Sequence, residues 1–110
     1  MTKKALDKLS KNENGFFLMV EGSKVDWAAH GNDPVGMLTD YLAFDKACRV
    51  AFDFARRDGH TLVVMVSDHG NSGFSLGRRD CKGYDKLTKD QLFGTVTQIK
   101  LSADGFAKKL

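Results

Sequence analysis

The sequence predicts an α/β fold built on a strand–helix–strand unit. Two continuous apolar runs, residues 16–20 and 62–66, are typical of strands that are covered on both faces. Between them, residues 34–58 carry apolar side chains at three- and four-residue steps, as expected for an amphipathic helix. A helical crossover of this kind joins two parallel strands, and the connection is right-handed. This order of elements therefore predicts a mainly parallel sheet with a helix packed on it.

The amino-terminal third is predicted to hold a short helix, a strand and a loop. Residues 3–11 form the helix with Thr2 as its N-cap, and the segment from Asn12 to Gly15 ends it. The first strand is predicted over residues 16–21. Residues 22–33, which carry no clear periodicity, are predicted to be a loop.

The central helix has clear start and stop signals. Asp33 suits the N-cap position and Pro34 the first helical position, so the helix is expected from Pro34 to about Asp58. Gly59 suits the position just past the end. The second strand is predicted directly afterwards, over residues 61–67.

Residues 76–110 are predicted to form a loop and a helical tail, so that the chain divides into a core, 1–75, and a tail within one domain. Thr88 and Gln91 make a capping box, which predicts a helix over residues 89–99. Ser102 is expected to cap a further helix from Ala103 to Leu110. Cys81 lies in the polar loop before these helices and could pair with a cysteine outside this chain.

Composition excludes several classes of function. The chain has 110 residues and a net charge of only +3, and the basic residues of the tail alternate with aspartates, which argues against a nucleic-acid footprint. No apolar stretch approaches the ~20 residues of a membrane span. Residues 1–15 lack the apolar region of a signal peptide.

Five side chains at the predicted strand ends are candidate metal ligands. Carboxyl ends of parallel strands meet at one edge of a sheet, where open α/β proteins place their chemistry. Carboxylate and imidazole groups are good zinc ligands, whereas a further hard carboxylate suits magnesium. Two zinc ions ~4 Å apart could clamp the oxygens of a phosphoryl group. The candidates are Glu21, Asp26, His30, Asp68 and His69.

Each of these side chains also has a simpler interpretation. Asp26 and His30 could form a loop ion pair, and Asp68 with His69 could belong to a plain turn. Trp27 could be a packing residue or a wall of the site. The nearby serines, Ser23 and Ser67 among them, lack the G-x-S-x-G context of a nucleophile. Convergence on one sheet edge favours the metal-site interpretation.

The stretch Phe-Phe-Leu-Met-Val-Glu21-Gly-Ser-Lys-Val-Asp26-Trp-Ala-Ala-His30, followed by Asn-Asp-Pro and by Thr-Leu-Val-Val-Met-Val-Ser-Asp68-His69-Gly, resembles the alkaline phosphatases. The resemblance is close over residues 1 to about 75. It implies part of a three-layer α/β/α sandwich. By resemblance, Glu21 is a magnesium ligand, Asp26 and His30 bind a first zinc, and Asp68 and His69 bind a second.

The resemblance also implies an activity and a setting. Members hydrolyse phosphate monoesters to inorganic phosphate through a phosphoserine intermediate, and are usually exported homodimers, periplasmic or secreted. The serine nucleophile, the phosphate-binding arginine and a third histidine ligand of the family have no counterpart in this sequence. We therefore expect an internal fragment, inactive on its own. The alternatives are an enzyme similar to cofactor-independent phosphoglycerate mutase, or a non-catalytic domain with structural metals.

Overall fold

Helices make up the regular structure of the part of the chain that the structure describes. A computed structural model describes residues 1–73, 80 and 82–110. Its five α-helices are joined by irregular segments and by one 3-10 turn, Tyr84–Lys86. The helices are α1 (Thr2–Leu9), α2 (Ser23–His30), α3 (Pro34–Asp58), α4 (Lys89–Gln98) and α5 (Ala103–Ala107).

The predicted α/β class is wrong for this structure. Neither apolar run forms a strand, and the described residues contain no sheet, so there is no α/β/α sandwich and no parallel strand pair. Residues 16–21 and 61–67 are irregular instead. Their side chains are largely open to solvent: Phe17 is 90% exposed, Leu62 86% and Val66 82%.

The reason lies in what a strand requires. A strand persists only where neighbouring strands accept and donate its backbone hydrogen bonds and where layers cover its faces. In the described ranges, the helix pairs in substantial contact are α1 with α3 and α2 with α3, and no layer covers residues 61–67. A short apolar run is also weak evidence for a strand, because periodicity cannot distinguish it from other buried segments.

The long helix was predicted correctly at both ends. The Asp33 side chain accepts hydrogen bonds from the backbone N–H groups of Val35 and Gly36, and Pro34 follows as the first helical residue. Gly59 ends the helix with φ of 75°, in the left-handed region that favours glycine. These signals are local, so they operate whether or not a sheet is present.

Helix α2 lies where a loop was predicted, and its contact with α3 explains why it forms. A methyl group on Gly36 of α3 would lie 2.9 Å from the Cβ of Ala28. The two helices therefore pack closely at small residues, with no room for a larger side chain at Gly36. Ala29 is buried in this contact region, and Phe44 packs against Gly22, just before α2 begins. Tertiary packing therefore stabilises a segment with modest helix propensity.

Helix α1 packs on the other part of α3. Leu6 is its buried residue, and Phe16 meets Phe54 of α3 edge-on with ring centroids 6.0 Å apart. The predicted helix is thus confirmed, but its cap is not. Met1 occupies the N-cap position and no side chain caps α1.

The tail follows its predicted caps. Thr88 and Gln91 form the reciprocal capping box of α4, and the Ser102 hydroxyl accepts a hydrogen bond from Gly105 N at the start of α5. Helix α5 ends at Ala107, three residues earlier than expected. The prediction for Cys81 lies outside the described residues. Over the described ranges, no helix is both long and apolar enough to cross a membrane.

Candidate metal centre

The first candidate pair lies on one face of α2. Asp26 and His30 are four residues apart, a spacing that places them one above the other on a helix. The distance from His30 Nε2 to Asp26 Oδ2 is 3.5 Å. Asp26 is half-buried, with 37% of its side chain exposed, whereas His30 is mostly exposed. Helix α2 therefore brings the two candidate ligands together, although a loop was predicted here.

The second candidate pair lies in the irregular segment after residues 61–67. His69 Nε2 lies 3.3 Å from Asp68 Oδ2, although the two residues are adjacent in sequence. Adjacent side chains in a strand would point to opposite faces. They converge here because the segment is not a strand. The other ring nitrogen, His69 Nδ1, lies 3.2 Å from the carbonyl oxygen of Gly70.

The two carboxylates are engaged in the same way. Asp26 Oδ1 accepts a hydrogen bond from the side chain of Asn71, and Asp68 Oδ1 accepts one from the backbone N–H of His69. In each pair this leaves Oδ2 facing an imidazole Nε2. A carboxylate oxygen and an imidazole nitrogen at this separation can share a proton carried by the ring nitrogen, or can both bind one metal ion.

The types of the donor atoms and their spacings fit a zinc ion. Each pair supplies only two donors, however, and a tetrahedral zinc site has four ligands. Two ligands of a tetrahedral zinc at ~2.1 Å lie ~3.4 Å apart. The oxygen–nitrogen distances of 3.5 Å and 3.3 Å agree with such an edge. Within the described part of the chain, however, no three His, Cys, Asp or Glu side chains come together as a possible metal site.

One hydrogen bond joins the two halves of the candidate site. Asn71 Nδ2 donates to Asp26 Oδ1 over 2.6 Å, across 45 positions of sequence. Asn71 follows Asp68 and His69 by only a few residues, so it ties the loop of the second pair to the helix of the first. Sequence reasoning assigned Asn71 no role. Its place directly after the Asp-His-Gly stretch was the available signal, and its partner could not be read from spacing.

The other two predicted site residues lie apart from these pairs. Glu21 is exposed in the irregular segment before α2 and joins no cluster of three possible ligands among the residues described. Trp27 is exposed on α2, and the Lys24 ammonium lies 3.3 Å from its ring centroid, a cation–π contact.

An open cavity adjoins the link between the two pairs. Its volume is about 520 Å³, and Met37 and residues 70–73 line it. Asn71 both lines this cavity and contacts Asp26. The space is within the usual size range of small-molecule sites.

Comparison with known proteins identifies the family. The alkaline phosphatase family profile matches residues 1–101. Alkaline phosphatase 4 of Bacillus subtilis is 48% identical over 84 residues, which are 76% of this chain and 18% of that protein. Alkaline phosphatase 3 of the same organism is 52% identical over 77 residues, 70% of this chain and 17% of that protein. Streptomycin-6-phosphate phosphatase of Streptomyces griseus is 44% identical over 78 residues, 64% of this chain and 17% of its own length.

The chain belongs to the alkaline phosphatase family. It spans less than a fifth of the length of these relatives. No solved structure matches it.

Proposed function

We propose that this chain contributes metal ligands to a phosphatase that hydrolyses phosphate monoesters. Glu21 serves as a magnesium ligand, Asp26 and His30 as ligands of one zinc, and Asp68 and His69 as ligands of another. The observation that carries the proposal is the shared geometry of the two Asp–His pairs, whose Oδ2 and Nε2 atoms stand at the separation of two zinc ligands. Family membership supplies the reaction class.

The residues of this chain would bind metal ions and orient the phosphate group, and none of them is proposed as the nucleophile. Metal ions held at the two pairs would polarise phosphoryl oxygens and stabilise the charge that develops on them. Asp26 and His30 present their ligand atoms on a helix stabilised by contact with α3, which limits their movement. The cavity beside Asn71 offers space for the phosphate group of a substrate. We also propose that the reaction passes through a phosphoserine intermediate and that the parent protein is an exported homodimer.

The chain alone is proposed to be inactive, because no described group of three ligands encloses a metal ion. The direct test is hydrolysis of p-nitrophenyl phosphate by the purified chain with added zinc and magnesium. No turnover above the background of the metal ions is expected. Turnover at the ~10 s⁻¹ of a typical enzyme would contradict this part of the proposal.

A chimera tests the contribution of the ligands. The matching 84 residues of this chain replace their counterparts in Bacillus subtilis alkaline phosphatase 4, where the rest of the protein supplies the remaining groups. We expect the chimera to hydrolyse p-nitrophenyl phosphate and to lose activity by two or more orders of magnitude on Asp68→Ala. Asp53→Ala, an exposed aspartate of α3, is the matched control and should retain activity. Equal activity of both variants would exclude Asp68 as a ligand that the reaction needs.

A further inference from the structure

Asn14 and Gly15 lie in an exposed turn between α1 and Phe16. The backbone N–H of Asn14 donates to Asn12 Oδ1 over 3.1 Å, and the backbone N–H of Gly15 donates to the carbonyl oxygen of Asn12 over 3.0 Å. Gly15 has φ of 80°, in the left-handed region that favours glycine. A Cβ on Gly15 would meet nothing within 4 Å. The turn is therefore held by its own hydrogen bonds and has open space beside Gly15.

The side-chain amide of Asn14 is free, whereas that of Asn71 is held at both ends. Among the residues described, the Asn14 amide makes no hydrogen bond. Asn71 Oδ1 accepts from the backbone N–H of Ser72 over 2.7 Å, and its Nδ2 donates to Asp26 over 2.6 Å. The Asn14 side chain can therefore rotate without first breaking a hydrogen bond, and the Asn71 side chain cannot.

The other two asparagines of the sequence, Asn12 and Asn32, are also constrained. Asn12 Oδ1 accepts the hydrogen bond from Asn14 N. Asn32 precedes Asp33, a buried residue whose backbone N–H donates to the carbonyl oxygen of Ala28 over 2.9 Å. Asn14 is thus the asparagine that combines a free amide with an exposed glycine after it.

We propose that Asn14 is a site of spontaneous covalent modification, at which the side-chain amide is lost and the residue becomes aspartate or isoaspartate. Asparagine is among the thermolabile residues of proteins. The backbone nitrogen of Gly15 loses its proton to hydroxide and attacks Asn14 Cγ, the bond from Cγ to Nδ2 breaks, and ammonia leaves. Water then opens the cyclic imide at either of its carbonyl carbons. Opening at the side-chain carbonyl gives aspartate, and opening at the backbone carbonyl gives isoaspartate.

The surroundings of Gly15 favour the attacking step. Glycine has no Cβ to obstruct the approach of its nitrogen to Asn14 Cγ. The hydrogen bond from Gly15 N to the carbonyl oxygen of Asn12 must open first, and in an exposed turn water can replace it. Nucleophile and electrophile belong to neighbouring residues, so the reaction needs no encounter between molecules.

Isoaspartate at this position would loosen the connection between α1 and Phe16. The main chain would then pass through Cβ and Cγ, which lengthens it by one carbon atom, and a new carboxylate would lie next to Glu13. Leu6 is buried where α1 packs on α3, and the ring of Phe16 meets that of Phe54 with centroids 6.0 Å apart. A longer turn between these two contacts no longer matches the spacing of both.

The first test compares asparagines within one molecule. The purified chain is incubated at neutral and at mildly alkaline pH, and peptide mass mapping follows the conversion of each amide to an acid. We expect Asn14 to react about tenfold or more faster than Asn71, whose amide must first break two hydrogen bonds. The Asn14 rate should rise with pH, because Gly15 N must lose a proton. A chain that retains the Asn14 amide for as long as the Asn71 amide would overturn the proposal.

The second test locates the isoaspartate. Its carboxylate accepts a labelled methyl group from S-adenosylmethionine when protein isoaspartate methyltransferase is added. Asn14→Gln keeps an amide but reacts far more slowly, because its longer side chain closes a less favourable ring. This variant should lose most of the methyl acceptance, and the matched control Asn71→Gln should retain it. Equal acceptance by Asn14→Gln and the unmodified chain would place the isoaspartate elsewhere and overturn the proposal.

The third test measures the structural consequence. The isoaspartate form is separated by chromatography and compared with Asn14→Asp, which carries the carboxylate without the added backbone atom. We expect the nuclear Overhauser effect between the rings of Phe16 and Phe54 to weaken in the isoaspartate form and to persist in Asn14→Asp. Equal intensities in the two forms would overturn the proposed loosening of the turn.

Discussion

The carboxylate of Asp33 connects the starts of two helices: its Oδ2 accepts a hydrogen bond over 2.8 Å from the backbone N–H of Ala103, 70 positions away in sequence. Its Oδ1 accepts from Val35 N and Gly36 N at the start of α3. One side chain thus caps α3 and satisfies a free donor at the first residue of α5. Asp33 is 8% exposed, so water cannot readily replace these bonds.

Asp33→Ala should therefore loosen two helix starts at once. We expect a loss of about 1–2 kcal/mol from the cap of α3 alone, and faster hydrogen exchange at Val35, Gly36 and Ala103. Asp33→Asn should restore protection from exchange at the start of α3 but not at Ala103. An amide has one acceptor oxygen, whereas the carboxylate has two. Amide exchange by NMR checks this, with Asp53→Ala as the control. Unchanged exchange at Ala103 in Asp33→Ala would show that the tail is held by other contacts.

Two glycines in helices should respond oppositely to the same substitution. A Cβ on Gly36 would lie 2.9 Å from the Ala28 Cβ and 3.1 Å from Asp33 Oδ2, whereas a Cβ on Gly94 of α4 meets nothing within 4 Å. Gly36→Ala should destabilise the chain by about 1–3 kcal/mol, since α2 must move away from α3. Gly94→Ala should stabilise it by about 0.5–1 kcal/mol through helix propensity.

Urea unfolding followed by far-ultraviolet circular dichroism measures both effects. The pair forms its own control, because each variant adds the same methyl group to a helix. If Gly36→Ala proved as stable as Gly94→Ala, the close α2–α3 contact would not be a constraint on this fold.

Local signals predicted α3 and α4 correctly, although they misplaced the cap of α1, whereas the non-local pairing of strands was predicted wrongly. Asp33, Pro34 and Gly59 define α3 through contacts within a few residues, and the capping box of α4 does the same. The predicted strands depended on partners elsewhere, and residues 16–21 and 61–67 find none in the described structure. The fold class was wrong for that reason.

The candidate site shows the same division. The Asp26–His30 pair follows from helical spacing once α2 forms, and Asp68 and His69 are adjacent. The link between these pairs depends on Asn71 reaching across from a distant loop, and no periodicity encodes it. Helix α2 itself was missed because its contact with α3, rather than its own sequence pattern, stabilises it.

The carboxyl end of α3 holds a carboxylate with a lowered pKa. The Thr61 hydroxyl donates to Asp58 Oδ2 over 2.6 Å, and the backbone N–H of His60 donates to the same oxygen over 3.2 Å. These bonds, the Thr61 bond foremost, hold the pKa of Asp58 below its usual value. Thr61→Val should raise the pKa of Asp58, as measured by NMR titration of the side-chain carboxyl carbon.

The sign of the stability effect follows from the same shift. A carboxyl whose pKa is lower in the folded state stabilises that state above its unfolded pKa, and this contribution is lost as the pH falls through the folded value. Thr61→Val should thus reduce stability at neutral pH and have less effect in strong acid. Thr97→Val, whose hydroxyl donates to Gly94 O instead, should leave the pKa of Asp58 unchanged. A lowered pKa that persists in Thr61→Val would assign the shift to His60.

The segment from Thr61 to Val66 should make the chain prone to aggregation. It has six residues without charge, proline or glycine, and Leu62, Val64 and Val66 are largely exposed. Such a segment suits the stacked strands of amyloid-like aggregates, and a charge within it opposes their stacking. Val64→Lys should lengthen the lag before thioflavin fluorescence and light scattering rise, relative to the unmodified chain.

The control for this prediction is Leu42→Lys, which removes an exposed apolar side chain of α3 without changing the segment. If apolar exposure in general caused aggregation, both variants would delay it equally. If residues 61–66 nucleate it, Val64→Lys should delay it more strongly, because unpaired backbone groups and apolar side chains coincide only where the chain is irregular. An equal delay would place the aggregation surface on the helices, whose backbone groups are already paired.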